Sequence, residues 1–215
     1  SVLGGFLFRI GIGAIPFLLP LMLQLGFGLD PLHSGLLTFA SAIGAIFMKT
    51  IASRVLKRFG FRDVLWRNAL VCAAMLAGYG LFTARTPHAL IIAVLIVAGC
   101  FRSLQFTAIN AISFAEVEQD RMSQASSLSG MMQQFSLSLG VAVGGYALQI
   151  SGWLRHDAAT AAGSFSTAFV IVGTISAISA WLMWKLPGDA GLEMSGHAQP
   201  GKELTRPKAE QRPAT

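Results

Sequence analysis

Long apolar runs without a charged residue dominate this sequence and limit the folds that it can adopt. The run from Met122 to Leu154 contains no Asp, Glu, Lys or Arg. An α-helix needs about 20 such residues to cross about 30 Å of hydrocarbon. Charged residues make up 12% of the chain, against roughly 25% in soluble domains, and the mean hydropathy is +0.61. The sequence therefore predicts an all-α membrane protein.

A cluster of positive charge at residues 54–67 sets the predicted orientation. It carries five Lys and Arg residues and one Asp, in a chain where charge is otherwise scarce. Lys and Arg in short loops are retained on the cytoplasmic side of membranes. We therefore interpret this stretch as a tight cytoplasmic turn between two spans, and the direction of every other span follows from it.

Counting outward from this turn gives six transmembrane helices with both chain ends in the cytoplasm. They form a bundle over residues 1–186, and the polar residues 187–215 are predicted to be a disordered cytoplasmic tail. Of 16 Lys and Arg residues, only Arg85 and Arg155 fall in predicted outer loops, and Arg102 falls inside a span. The predicted spans are residues 10–27, 31–48, 68–84, 89–115, 125–149 and 165–184.

Two prolines interrupt the first span. Pro16 and Pro20 have no backbone N–H, so each leaves one carbonyl of the preceding turn without its helical partner. Such breaks persist in a membrane only where neighbouring protein groups satisfy the freed carbonyl. The sequence predicts a bent first helix that is packed against other helices.

An internal similarity divides the six spans into two groups of three. Residues 33–44 of the second span resemble residues 128–140 of the fifth, with one inserted residue. Matching second members of two three-helix units are typical of an inverted-repeat transporter. The other explanation is that Ser, Gly and Ala recur in any packed membrane helix. On the sequence alone both explanations stay open.

Several short segments occur in a fixed order along the chain. They are Pro20-Leu-Met-Leu-Gln24, Leu29-Asp-Pro-Leu-His-Ser-Gly-Leu36, Met48-Lys-Thr-Ile51, Arg58-Phe-Gly-Phe-Arg62, and Ala125-Ser-Ser-Leu-Ser-Gly130 with Gln134 and Gly140. Together they resemble the C-terminal half of major facilitator superfamily drug:proton antiporters of the EmrB/QacA branch. Within that branch the combination is most similar to the MdtD type of multidrug transporter. The resemblance implies six transmembrane helices that form one half of the transporter as a 3+3 inverted repeat.

The same resemblance implies an activity and partners. We expect proton-coupled export of drugs or other amphiphilic or cationic small molecules across a bacterial inner membrane. The partners are then the substrate, the lipid bilayer and a missing N-terminal half of six or more helices. No nucleic acid is expected as a partner, since the basic residues lie at span ends and in the tail. No cofactor, metal or catalytic residue is expected either. Two cysteines inside apolar runs behave as small hydrophobic residues.

The chain departs from the family pattern at two points. The family's cytoplasmic hairpin has an acid before its Arg and a Gly four residues before that acid, where this chain has Lys57 and Ser53. No Asp or Glu falls inside a predicted span, so the titratable group that proton coupling needs is expected in the other half. The hairpin residues here are Arg54, Lys57, Arg58, Gly60 and Arg62.

Family topology implies that the first, second, fourth and fifth spans face a central cavity. Arg102 stands at mid-span, where an arginine costs about 2.5–3.5 kcal/mol on insertion scales, so it should face protein or water. It either lines the cavity or caps carbonyls of a neighbouring span. The other candidates are also explained by plain helix packing. The predicted cavity-lining residues are Phe17, Gln24, Arg102, Gln105, Phe106, Met131 and Gln134.

Two further interpretations belong to other classes of protein. Ser129 and Gly130 could be the nucleophile pair of an intramembrane serine protease, but Ser127 replaces the motif glycine and all four histidines are assigned to loops or the tail. A non-transporting membrane subunit, or an orphan half-transporter, is the other alternative. Gly140 and Gly144 form a small-xxx-small pair, which predicts close helix packing.

Overall fold

The placement of charge, glycine and proline decides where the helices begin and end. The computed structural model describes residues 2–114, 119–156 and 162–185. Six helical segments in these ranges are long and apolar enough to cross a membrane, which confirms the predicted number of spans. The predicted tail, 187–215, lies outside the described residues. The helices are α1 (Val2–Gly13), α2 (Ile15–Leu21), α3 (Pro31–Phe59), α4 (Phe61–Gly78), α5 (His88–Phe114), α6 (Met122–Arg155) and α7 (Ala162–Trp184).

The predicted turn at residues 54–67 is helical except at one position. The α-helix α3 continues to Phe59 and α4 begins at Phe61, so Gly60 alone separates them. Gly60 has a φ of 77°, a left-handed value that favours glycine and ends a helix. Sequence reasoning treated charge as the end of helix, but basic side chains are good helix formers once the backbone has left the hydrocarbon.

The first span is broken, as its prolines predict. It consists of α1, a turn at Ala14, α2, and a π-helical turn over Met22–Gly26. Pro16 cannot donate a hydrogen bond to the carbonyl of Ile12, which is four residues earlier. Short π-helical turns are frequently found at functional sites, so the end of this span is a place to look for one.

The three most extensive helix pairings are preserved when the first three spans are exchanged with the last three. The most extensive contacts are α3 with α5, α4 with α7, and α1 with α6. The exchange replaces α1 by α5, α3 by α6 and α4 by α7. It therefore turns the α3–α5 pair into the α6–α1 pair and leaves the α4–α7 pair in place. This arrangement confirms the 3+3 repeat and favours it over chance recurrence of small residues.

Four glycines hold the two equivalent pairs together. We call the α3–α5 and α6–α1 interfaces seams. Gly44 and Gly140 occupy matching places in these two seams, as the similarity between the second and fifth spans predicts. A Cβ atom at any of the four would collide with the backbone of the facing helix, so only glycine allows this approach. The contacts are Gly44 with Ile96, Gly99 with Ser41, Gly140 with Ile10, and Gly13 with Leu137.

Candidate functional site

Arg102 lies inside the bundle, where α5 meets α3 and the break in the first span. Its Nη2 donates a hydrogen bond to Ser41 Oγ on α3 over 3.2 Å, and its side chain is half-buried. It lines a small cavity of about 10 Å³, room for about one water molecule. The other lining residues are Ile12, Ile15, Cys72, Met75, Leu76, Tyr79 and Ala98.

The cavity lies at the proline break. Ile12 and Ile15 flank the turn at Ala14, and the carbonyl of Ile12 is the one that Pro16 leaves without its helical partner. An apolar wall from α4, including Leu76, faces the guanidinium from the other side. The site thus combines one cation with polar backbone at a helix break and hydrocarbon side chains.

A second arginine is buried nearer to the start of the first span. Arg9 is 7% exposed, and its Nη2 donates to Asn110 Oδ1 on α5 over 2.9 Å. Its Nε has no hydrogen-bond partner among the described residues. The predicted first span, residues 10–27, leaves Arg9 just before its start, although its position six residues after the start of the apolar segment Leu3–Gly26 was a signal for burial. Asn110 stands eight residues after Arg102, about 12 Å further along the helix.

Neither arginine has a carboxylate partner in the part of the chain that the structure describes. The acids there are Asp30, Asp63 and Asp120, and all three stand at helix ends or in turns. The ion pairs within 4 Å among the described residues are Asp30 with His33 and Asp63 with Arg67. The positive field of the two arginines inside the membrane is therefore not neutralised by these residues.

Gln105 points away from the Arg102 cavity. It is completely buried, and its Oε1 accepts a hydrogen bond from Asn68 Nδ2 over 2.7 Å. Its Nε2 donates to the carbonyl of Leu65 over 2.9 Å and lies 3.2 Å from Met183 Sδ. These contacts join α5 to α4 and α7 on the inside of the bundle. The i, i+3 spacing placed Gln105 beside Arg102, but a turn of about 60° around the helix is enough to face a different neighbour.

Three other predicted residues lie in the first span or next to it. Phe106 packs edge-on against Phe8 with ring centroids 5.8 Å apart, one residue from the buried Arg9. Gln24 belongs to the π-helical turn, and its Nε2 donates to Ser34 Oγ on α3 over 3.4 Å. That bond ties the end of the broken span to the start of the next one. Phe17 is half-buried on α2.

The candidates on α6 are exposed. Met131 is 65% exposed, and Gln134 is also exposed. The neighbouring Phe135 stacks on Phe6 of α1 with centroids 6.3 Å apart. These residues do not line the Arg102 cavity, so the structure divides the predicted set between the cavity, the broken span and the outer face of α6. The packing glycines Gly140 and Gly144 lie against α1 and α2.

The family model of the Major Facilitator Superfamily matches residues 1–210 of the chain. The chain belongs to the Major Facilitator Superfamily. The match confirms the resemblance that the sequence motifs carried, and with the six apolar helices it makes this an integral, multi-pass membrane protein.

Relatives of the MdtD type support the finer resemblance. The chain is 32% identical over 202 residues to the Putative multidrug resistance protein MdtD of Serratia proteamaculans, a match that covers 92% of this chain and 42% of the relative. It is 32% identical over 190 residues to the protein of the same name in Klebsiella pneumoniae strain 342, covering 87% and 40%. The chain thus spans about two fifths of the length of these relatives. No solved structure matched it.

Among the residues predicted to form the hairpin motif, Arg62 has a structural role. Its Nη2 donates to the carbonyl of Trp184 at the end of α7 over 3.2 Å, where a cation also complements the helix dipole. Arg54 and Lys57 are exposed, and Arg58 lies over the ring of Phe59. The motif residues therefore lie around the glycine turn at Gly60, and one of them joins the hairpin to the last helix.

An exposed pair stands at the opposite end of α3. Asp30 and His33 are hydrogen-bonded to each other in the turn before and the first turn of this helix. The bond to His33 holds the pKa of the Asp30 carboxyl below its usual range. Because both side chains are more than half exposed, the pair has little part in the buried site.

Proposed function

We propose that this chain is the C-terminal half of a secondary active transporter that exports amphiphilic, drug-like small molecules in exchange for protons. The observation that carries the proposal is a mid-membrane arginine beside a proline break in a pseudo-symmetric superfamily bundle. The relatives of the MdtD type, which are named as multidrug resistance proteins, support export rather than uptake.

The second half of the transporter is expected to cover the most exposed helices. The buried fraction of an apolar 18-residue stretch differs from span to span. It is 22% in α3 and 33% in α6, against 67% in the first span. Large side chains on α3 and α6, among them Phe39 and Phe135, face outward. We propose that part of these faces meets another six or more spans and that the rest meets lipid.

The substrate cavity then lies between the two halves. On this side we propose that Arg102 and the Phe106 region form its inner wall and that Met131 and Gln134 form a flexible outer wall. Methionine and aromatic side chains adapt to varied apolar ligands. Gln105 supports this wall from behind through its bonds to α4 and α7.

We propose no catalytic activity for this half. Ser129 is in α6, and the histidines of the described residues, His33, His88 and His156, stand at helix ends, so they do not provide a base within the span. We also propose a bacterial inner membrane as the location, with the basic hairpin on the cytoplasmic face and both chain ends on that side.

Transport by inverted membrane vesicles tests this function. Vesicles containing the full-length transporter should accumulate amphiphilic dyes when a proton gradient is imposed, and a protonophore should abolish the accumulation. Vesicles from cells that produce only the present chain should not accumulate dye, because the coupling carboxylate is expected in the other half. Accumulation without a gradient, or by this chain alone, would contradict proton-coupled export by two halves.

A further inference from the structure

We propose that Arg102 binds an acidic group of the transported molecule, so that the preferred substrates of this transporter are anionic or zwitterionic amphiphiles rather than cations. The inference rests on the proposed function and names the substrate class of its cavity. It depends on the balance of charge within the spans and on the geometry around one guanidinium.

The charge balance inside the described spans is positive. Arg9 and Arg102 lie on facing helices, and their hydrogen-bond partners are neutral groups, Asn110 and Ser41. A guanidinium held in a medium of low dielectric attracts an anion strongly and repels a cation. A cationic substrate in this cavity would have to approach two uncompensated positive charges.

Arg102 has donors available for a ligand. A guanidinium carries five N–H groups, and the bond to Ser41 Oγ uses one of them in the part of the chain that the structure describes. Carboxylates and related oxyanions match the planar fork of arginine with two parallel hydrogen bonds. Arg9 is 7% exposed and is bonded to Asn110. It therefore adds to the positive potential at the site but does not contact the ligand.

The cavity next to Arg102 fits one oxygen atom of such a group. Its volume of about 10 Å³ is close to that of one water molecule. Tyr79, whose hydroxyl can donate a hydrogen bond, lines the same cavity. Ile12, Ile15 and Leu76 surround this one-oxygen space, so the hydrocarbon part of the ligand would lie outside it.

Binding of three ligands of matched shape tests the proposal. The probes are 2-naphthoate, its neutral amide and the naphthyl trimethylammonium cation, titrated into the purified full-length transporter in lipid nanodiscs. We expect the carboxylate to bind about ten- to hundredfold more tightly than the amide, and the cation to bind most weakly. Equal binding of the carboxylate and the amide, or tightest binding of the cation, would overturn the proposal.

Variants assign the preference to one residue. Arg102→Gln should remove the difference between carboxylate and amide while changing amide binding little, and Arg102→Lys should keep part of it. Arg85→Gln, in an exposed outer turn, is the matched control for loss of one positive charge and should behave like the wild type. A preference that survives Arg102→Gln would exclude this residue as the ligand contact. If that variant does not fold, the ranking of the three probes in the wild type decides.

A vesicle assay separates this inference from the proposed function. Selective binding of the carboxylate without export of any probe would leave the anion site in place and remove the export function. Export that favours the cation, and that is unaffected by Arg102→Lys, would keep the export function and remove the anion site.

Discussion

The two seams that glycine closes, α3 against α5 and α6 against α1, have the same backbone design and different chemistry. Three residues after Gly99 in α5 stands Arg102, and three residues after the equivalent Gly13 stands Pro16. The facing helices differ in the same way, because Ser41 precedes Gly44 where Leu137 precedes Gly140. One seam therefore holds a cation and its hydroxyl partner, and the other holds a helix break.

The two differences act together. The proline break in the first span puts Ile12 and Ile15 beside Arg102, so each repeat contributes one part of the same cavity. Further polar bonds cross only the α3–α5 seam among the described residues: Cys100 Sγ lies 3.2 Å from the carbonyl of Gly44, and Ser103 Oγ donates to the carbonyl of Ala45 over 2.9 Å. Equivalent packing supports the bundle, and the unequal positions provide the site.

The largest expected effect tests the equivalence of the seams. Gly44→Ala and Gly140→Ala should destabilise the protein by similar amounts, about 1–3 kcal/mol each, because each Cβ would force the facing backbone away. Thermal unfolding followed by size-exclusion chromatography measures this. Gly145→Ala is the control, since its Cβ would meet Phe17 only at 3.9 Å. A large loss in one seam and none in the other would break the comparison.

A smaller effect is expected from the buried amides, which also belong to one repeat. The position equivalent to Gln105 in the first span is Leu19, which makes no such bonds. Gln105→Leu should lower the free energy of unfolding by about 0.6–1.7 kcal/mol, which spans the average and the largest value measured for hydrogen bonds between membrane helices. A double-mutant cycle with Asn68→Leu should show coupling, because Asn68 Nδ2 donates to Gln105 Oε1. Additive effects would mean that this bond contributes nothing.

Removing the helix break at Pro16 tests whether the cavity beside Arg102 depends on it. Pro16→Ala restores the N–H that can donate to the carbonyl of Ile12, so the first span should become straighter and more stable. We expect the unfolding midpoint to rise by about 2–4 °C for each kcal/mol gained. Export should fall at the same time, since the cavity beside Arg102 depends on the break. A stabilised variant with undiminished export would separate the break from the site.

The smallest effect concerns the outer end of α3. The pKa of Asp30 is lowered in the folded state by its bond to His33, so its stabilising contribution is present above the unfolded pKa of about 3.9 and is lost as the pH falls below it. Asp30→Asn should remove this dependence. Unfolding midpoints of both proteins between pH 6 and pH 3 measure the difference, which should be slight because the pair is exposed. A destabilised variant at every pH would indicate a role in helix capping instead.

The sequence predicted the spans, the bend and the repeat, because hydropathy, proline and glycine act locally. It predicted a turn over residues 54–67 where α3 and α4 continue to either side of Gly60, since charge ends a hydrophobic span without ending a helix. It also missed the burial of Arg9 and the orientation of Gln105. Both depend on which neighbouring helix faces a residue, and periodicity within one helix does not determine that.

Export by one variant in each seam tests the central claim that the unequal seam positions carry the function. Arg102→Gln changes the polar seam, and Leu137→Ala changes the apolar seam at the position equivalent to Ser41, the partner of Arg102. With rates normalised to folded protein, we expect export of an acidic amphiphile to fall about ten- to hundredfold in the first variant and to stay near the wild-type rate in the second. Equal losses in the two variants would contradict the account.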